Sequence, residues 1–189
     1  MNAVQIREVT RLKSVIKFLK TVLLVIELTI YIAYYHIDKL IFVGIIALDQ
    51  YVKSQVVSTM IHHESIPIVP DFFHITYVLN PGAAFGILPY ERPFLIGIGG
   101  FMLIVGALYY SRVKKKVPTA AKFGAISAAA GAAANMIDRI NTGYVVDMFD
   151  FRIFPVFNIA DIAIVIGLTA IMYVIFFQDE KVSTNELSS

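Results

Sequence analysis

Few ionisable or amide side chains in this sequence stand inside or at the edge of long apolar stretches, and those few are the candidates for chemistry. Asp49, Gln50 and Lys53 interrupt one apolar run. Asn135, Asp138 and Arg139 end another. Asp147 stands alone in Tyr-Val-Val-Asp-Met-Phe, and Asn158 and Asp161 open the last run. Polar groups in such surroundings are costly and need either a partner or a role.

Each group has a structural reading. Asp49 and Lys53 are spaced i,i+4 on a helix and can neutralise each other. Asp138 adjoins Arg139 and reads as an ion pair ending a helix. Asn158 follows Pro155 and reads as an N-cap, with Asp161 at the third helical position, where the helix dipole suits a carboxylate. Asp147 reads as a solvated loop carboxylate.

The catalytic reading pairs Asp147 with Asp161. Neither adjoins a basic residue, and the short connection between them can bring them side by side. Two close carboxyl groups cannot both ionise, so one keeps its proton. The ionised member can activate a water while the protonated one donates to a carbonyl. Apolar neighbours suit the protonated form of Asp147.

The elements that must position these groups are membrane helices. Of the 189 residues, 58% are apolar and 16% charged, against about 45–50% and about 25% in an ordinary soluble domain. Apolar runs near residues 39–57, 94–111, 120–138 and 157–177 are each about as long as a bilayer crossing, which takes roughly 20 residues. Most are rich in Gly and Ala, which permit close helix packing in lipid. The expected fold is an α-helical integral membrane protein with four transmembrane helices over residues 39–178. Arg112, Lys114, Lys115 and Lys116 mark a cytoplasmic loop. Alternation then places residues 58–92 and 139–156 outside and both termini inside. The prolines and glycine of the outer loops (Pro67, Pro70, Pro81, Gly82, Pro89, Pro93) flank the β-branched and aromatic run 72–79, which predicts a short extracellular sheet.

Residues 1–38 are expected to form a cytoplasmic or interfacial extension. Residues 21–35 are apolar apart from Glu27. As a fifth span they would carry Arg7, Arg11, Lys13, Lys17 and Lys20 outside, against the positive-inside rule. The region has no A-x-A-like cleavage site, so a removed signal peptide is not expected. Residues 179–189 read as a cytoplasmic tail, frayed from Val182 to Ser189.

A net charge of +2 is too small to argue for nucleic-acid binding. The absence of cysteine excludes thiol catalysis and thiolate metal sites. His36, His62, His63 and His74 lack HExxH-like spacing, so no metal or other cofactor is expected. A proton-coupled transporter relaying protons through intramembrane carboxylates is an alternative, as is an assembly protein. Four short spans without a visible inverted repeat argue against the transporter.

Five segments, in order, resemble the motifs of one family. They are Asp49-Gln50-Tyr51-Val52-Lys53, Asn80-Pro81-Gly82-Ala83-Ala84-Phe85-Gly86, the stretch Gly131 to Arg139 (GAAANMIDR), Val145-Val146-Asp147-Met148-Phe149-Asp150-Phe151, and Phe157-Asn158-Ile159-Ala160-Asp161. They look like the motifs of the lipoprotein signal peptidases (signal peptidase II), aspartic endopeptidases of the bacterial inner membrane. The resemblance implies four transmembrane helices, a small β-rich cradle on the periplasmic side, and a catalytic dyad of Asp147 and Asp161. It assigns Asp49, Lys53, Asn80, Gly82, Asn135, Asp138, Arg139, Asn158 and Ala160 to the supporting or substrate-binding site. It implies a diacylglyceryl-modified prolipoprotein substrate, cut just before the lipidated lipobox cysteine. Inhibition by globomycin-type cyclic peptides, contact with membrane lipid and a monomeric state are also expected. Phe72, Phe73, Tyr77 and Phe85 can form an amphipathic rim beside the headgroups. Two departures stand out. Ala134 replaces the usual glycine, where an added methyl can shift the third helix, and residues 1–38 have no family counterpart.

Overall fold

A computed structural model describes residues 3–82 and 91–177, without the side chains of 3–12 and 30–35. Phe85 and Pro89, the end of the second motif and the tail 179–189 lie outside the described residues. The elements in order are α1 (Ala3–Thr59), β1 (Ser65–Val69), β2 (Phe73–Asn80), α2 (Arg92–Val113), α3 (Thr119–Asn141), β3 (Val145–Asp150) and α4 (Ile159–Phe177). The chain divides into two compact units, Met1–Leu40 and Ile41–Ser189. The described part of the first is helical; every candidate site residue lies in the second.

Among the described residues, three helices are long and apolar enough to cross a membrane: His36–Thr59, Arg92–Val113 and Ile159–Phe177. The expected run at 120–138 falls in α3, which has 23 residues. Its alanines and glycines are only weakly apolar, and Lys122, Asn135, Asp138 and Arg139 dilute them further. The same small residues let α3 press against α4. Ala130, Ala134 and Ala160 have no exposed surface. A Cβ at Gly124 would stand 2.6 Å from the Gly167 carbonyl oxygen, and one at Gly131 would collide with the Ala160 carbonyl. Backbone contact of this kind is how small residues join helices in lipid.

The sheet is antiparallel in the order β1-β2-β3. The run 72–79 supplies β2 as expected. The third strand is not an expected element, since the sequence reads Asp147 as a loop carboxylate. Val-Val-Asp-Met-Phe-Asp nevertheless has the β-branched and aromatic content of a strand. Asp147 lies opposite Val78, and Val145 opposite Asn80. Val56, Tyr77, Val146 and Met148 form a small core between the end of α1 and the sheet.

Candidate active site

Beyond β3 the chain turns back on itself. Phe149 and Phe157 form an isolated antiparallel bridge, with the Phe149 N–H donating to the Phe157 carbonyl at 2.8 Å. This reversal sets Asn158, the next residue, beside β3 and starts α4 there. The Asn158 Oδ1 accepts the Asp161 N–H at 2.9 Å, and an Asp161 carboxylate oxygen accepts the Asn158 N–H at 3.2 Å. The pair is a reciprocal cap. The Asn158 side-chain amide reaches the other way, donating to Asp147 Oδ1 at 2.6 Å and to the Val146 carbonyl at 3.3 Å. One residue thus holds both aspartates.

The second oxygen of Asp147 accepts from the Asn80 amide at 3.1 Å, and Asn80 Oδ1 in turn accepts the Gly82 N–H at 2.9 Å. Asp161 Oδ1 accepts from the Asn135 amide at 2.8 Å. Asn135 Oδ1 takes hydrogen bonds from Lys53 Nζ at 2.8 Å and from Asn158 at 3.1 Å. Asn135 therefore joins α1, α3 and α4 at one point.

Lys53 is 3% exposed and Asp49 wholly buried. The ammonium lies 2.7 Å from Asp49 Oδ2 and 2.7 Å from Asp138 Oδ2. With Asn135 these make three acceptors, the full capacity of an ammonium group. The other oxygen of Asp49 accepts the Ala160 N–H at 2.8 Å, a second anionic cap on α4. All eleven residues singled out by motif belong to one connected hydrogen-bond network.

Several local expectations differ from the structure. Asp49 and Lys53 do pair, but Lys53 is shared with Asp138. No ion pair between Asp138 and Arg139 occurs; Asp138 turns to Lys53 because that ammonium is buried beside it. Arg139 instead donates to the Gly82 carbonyl at 2.6 Å and to the Asn135 carbonyl at 3.3 Å. Asp147 is not solvated but 2% exposed. Gln50 is a site member missing from the motif assignment. Its amide donates to Asp138 Oδ1 at 2.7 Å and to the Ala134 carbonyl at 3.4 Å. The signal was there: an amide in an apolar span needs a partner. Ala134 itself is fully buried, so the helix accepts the extra methyl.

Two carboxyl groups on β3 differ in their proton affinity. Burial, reinforced by the nearby charge of Asp161, pushes Asp147 up to about 7, against the opposing hydrogen bonds from Asn80 and Asn158. For Asp150, burial acts upward but is outweighed. The Arg152 N–H, the Thr76 hydroxyl and the Arg152 guanidinium hold it below its ordinary value. Asp147 can thus carry a proton near neutrality while Asp150 stays ionised.

Comparison with known proteins identifies the family. The family model for signal peptidase (SPase) II matches residues 41–177. The lipoprotein signal peptidase of Halothermothrix orenii is 47% identical over 138 residues, 73% of this chain and 93% of that protein. That of Clostridioides difficile is 42% identical over 145 residues, 75% of this chain and 97% of its own length. Two solved structures described as bacterial membrane enzymes align with TM-scores of 0.69 and 0.67, at 33% and 34% identity. They cover 76% and 74% of this chain, and 88% and 92% of theirs. The chain belongs to the signal peptidase II family of proteases.

Proposed function

We propose that the chain removes the signal peptide from diacylglyceryl-modified prolipoproteins, cutting before the lipidated cysteine with a water activated by Asp147 and Asp161. The observation that carries the dyad is Asn158, whose backbone and side chain bond both carboxylic residues. Asp147, titrating near 7, begins as the protonated member. It donates to the scissile carbonyl oxygen while Asp161 takes a proton from the attacking water. The tetrahedral intermediate then collapses. Asp161 passes its proton to the departing amine, the C–N bond breaks, and the carbonyl oxygen returns its proton to Asp147.

The supporting residues have separable tasks. Asn80 and Asn158 orient Asp147, and Asn135 orients Asp161. Lys53, with Asp49 and Asp138, fixes the ends of α1, α3 and α4 against one another. Arg139 holds Gly82, the last described residue of the second motif. The acyl chains of the substrate stay in the bilayer, and their bulk excludes water from the dyad, which strengthens its electrostatics.

In the same reading α3 is a fourth span and both termini are cytoplasmic. Residues 1–38 lie at the cytoplasmic membrane surface, and the enzyme acts as a monomer at the periplasmic face of the inner membrane. The basic loop of Arg112, Lys114, Lys115 and Lys116 supports this orientation. Globomycin-type cyclic peptides are the expected inhibitors. The test is cleavage of a purified lipidated prolipoprotein by the wild-type protein and by each aspartate variant.

A further inference from the structure

Asp150 stands in the fourth motif, three residues after Asp147, and the proposed cleavage gives it no task. It is only 6% exposed. Its Oδ1 accepts the Arg152 N–H at 2.8 Å, two residues on, which closes an Asx turn. Its Oδ2 accepts the Thr76 hydroxyl at 2.8 Å and pairs with the Arg152 guanidinium at 3.0 Å. Thr76 Oγ1 in turn lies 2.8 Å from Ser65 Oγ. One carboxylate therefore ties the end of β3 to β2, and through Thr76 to β1.

The Asx turn sits where the chain reverses. Arg152 has a φ of 64°, a left-handed conformation that an arginine rarely adopts unless it is held there. The Ile153 N–H tightens the turn further by donating to the Phe151 carbonyl at 2.7 Å. Residues 151–156 then carry the chain back, so that Phe149 and Phe157 bond in both directions, at 2.8 and 3.2 Å. Asp150 is the residue after Phe149, and Asn158 the residue after Phe157. The turn and Asn158 thus flank the same bridge, and Asn158 reaches Asp147 beside it at 2.6 Å. Displacement by about 1 Å is enough to break such a bond, and misplacement of that size can cost up to about a hundredfold in rate.

We propose that Asp150 is a positioning residue for the cleavage: by closing the turn at Arg152 it fixes the return of the chain and so places Asn158 against Asp147. Its acceptor oxygen does this, not its charge, and it takes no part in proton transfer. This rests on the dyad reading above and deepens it.

Two substitutions separate shape from charge. Asp150→Asn keeps an oxygen within reach of the Arg152 N–H and closes the same turn. Its amide meets Thr76, whose hydroxyl can rotate toward Ser65, and the half-exposed Arg152 side chain can turn to solvent. Asp150→Glu keeps the charge, but the extra methylene carries the carboxylate past that N–H. Each is measured as purified full-length protein on a lipidated prolipoprotein across pH, with a melting curve. Asp150→Asn should keep kcat within about threefold of wild type, with the alkaline limb of kcat/KM unmoved. Asp150→Glu should lose about tenfold or more in kcat with KM within about twofold. Its limb should move to higher pH, because the Asn158 hydrogen bond that lowers Asp147 is lost. Asp150→Ala carries the same expectation where the glutamate variant does not fold. A glutamate variant as active as the asparagine one would overturn the proposal, and so would an inactive or unfolded Asp150→Asn. A glutamate variant whose loss follows its melting temperature with the limb fixed would reduce Asp150 to a purely structural role. Cleavage by Asp147→Asn on the same substrate would sink the dyad reading instead, independently of the Asp150 outcomes.

Discussion

Asn158 holds Asp147 through a 2.6 Å hydrogen bond from its side-chain amide to Oδ1, while its own Oδ1 caps the Asp161 N–H at 2.9 Å. Substitution can separate these two tasks. Serine caps a helix about as well as asparagine, but its short side chain cannot reach Asp147. Asn158→Ser should keep the helix cap while losing the buried amide's bonds to Val146 and Asn135, and should lower kcat by an order of magnitude or more, roughly the worth of one catalytic hydrogen bond. Asn158→Ala should lose about 1 kcal/mol of stability as well. Thermal melts and turnover in one detergent check both. Equal turnover in the serine variant and wild type would remove Asn158 from the positioning of Asp147.

The pH dependence follows from Asp147. Its folded value lies near 7, raised mainly by burial. The protonated form needed for donation is full well below 7 and is lost as pH rises through it. The kcat/KM profile should therefore descend on its alkaline side near pH 7. The Asn80 hydrogen bond lowers the Asp147 value. Removing it in Asn80→Ala should move that descending limb to higher pH while reducing the maximal rate. A limb that stays in place or moves to lower pH would contradict the assignment.

Lys53 is the structural keystone. It satisfies Asp49, Asp138 and Asn135 at once. Taking one partner from a buried ion pair costs about 3–5 kcal/mol, because the abandoned charge stays desolvated. Lys53→Met should therefore lower the melting temperature and membrane abundance sharply. Lys53→Arg should not rescue it, since a planar fork cannot meet the three acceptors of an ammonium. A stable, abundant Lys53→Met protein would show that the pair is dispensable for folding.

Close approach of α3 and α4 makes another prediction. Gly131 abuts the Ala160 carbonyl, one residue before Asp161. Gly131→Ala forces the helices apart, and overpacking of this kind costs about 1–3 kcal/mol. It should lower both the melting temperature and turnover, because the N-terminus of α4 carries Asp161. Unchanged turnover would mean that the spacing at this point does not set the site.

Much of this arrangement was legible in the sequence, for a physical reason. A polar group in an apolar run has few ways to be satisfied, so Asp49 and Lys53 announce their pairing, whereas Asn135 and Asn158 join the site only through the family resemblance. Helix existence and the strand at 72–79 followed from apolar length and β-branched content. Pairing across the chain was less legible. The partner of Asp138 could not be read from its neighbour Arg139, because a buried lysine 85 residues earlier is the nearer cation in space. Asp147 looked like a loop residue because the strand that fixes it is short and its mates, Val78 and Asn80, lie far upstream. The span count was blurred at α3, whose alanines serve helix contact rather than hydropathy.

The most direct measurement compares three aspartate variants as purified protein acting on a lipidated prolipoprotein. Asp147→Asn and Asp161→Asn should each remain folded, by melting curve, and show no detectable cleavage. Asp138 is held by Lys53 and Gln50, and in the proposed function it supports the helix ends and does not act on the substrate. Asp138→Asn should melt earlier yet keep measurable cleavage per folded molecule. A stable but inactive Asp138→Asn protein beside an Asp147→Asn protein that still cuts would contradict the account and give the catalytic place to Asp138.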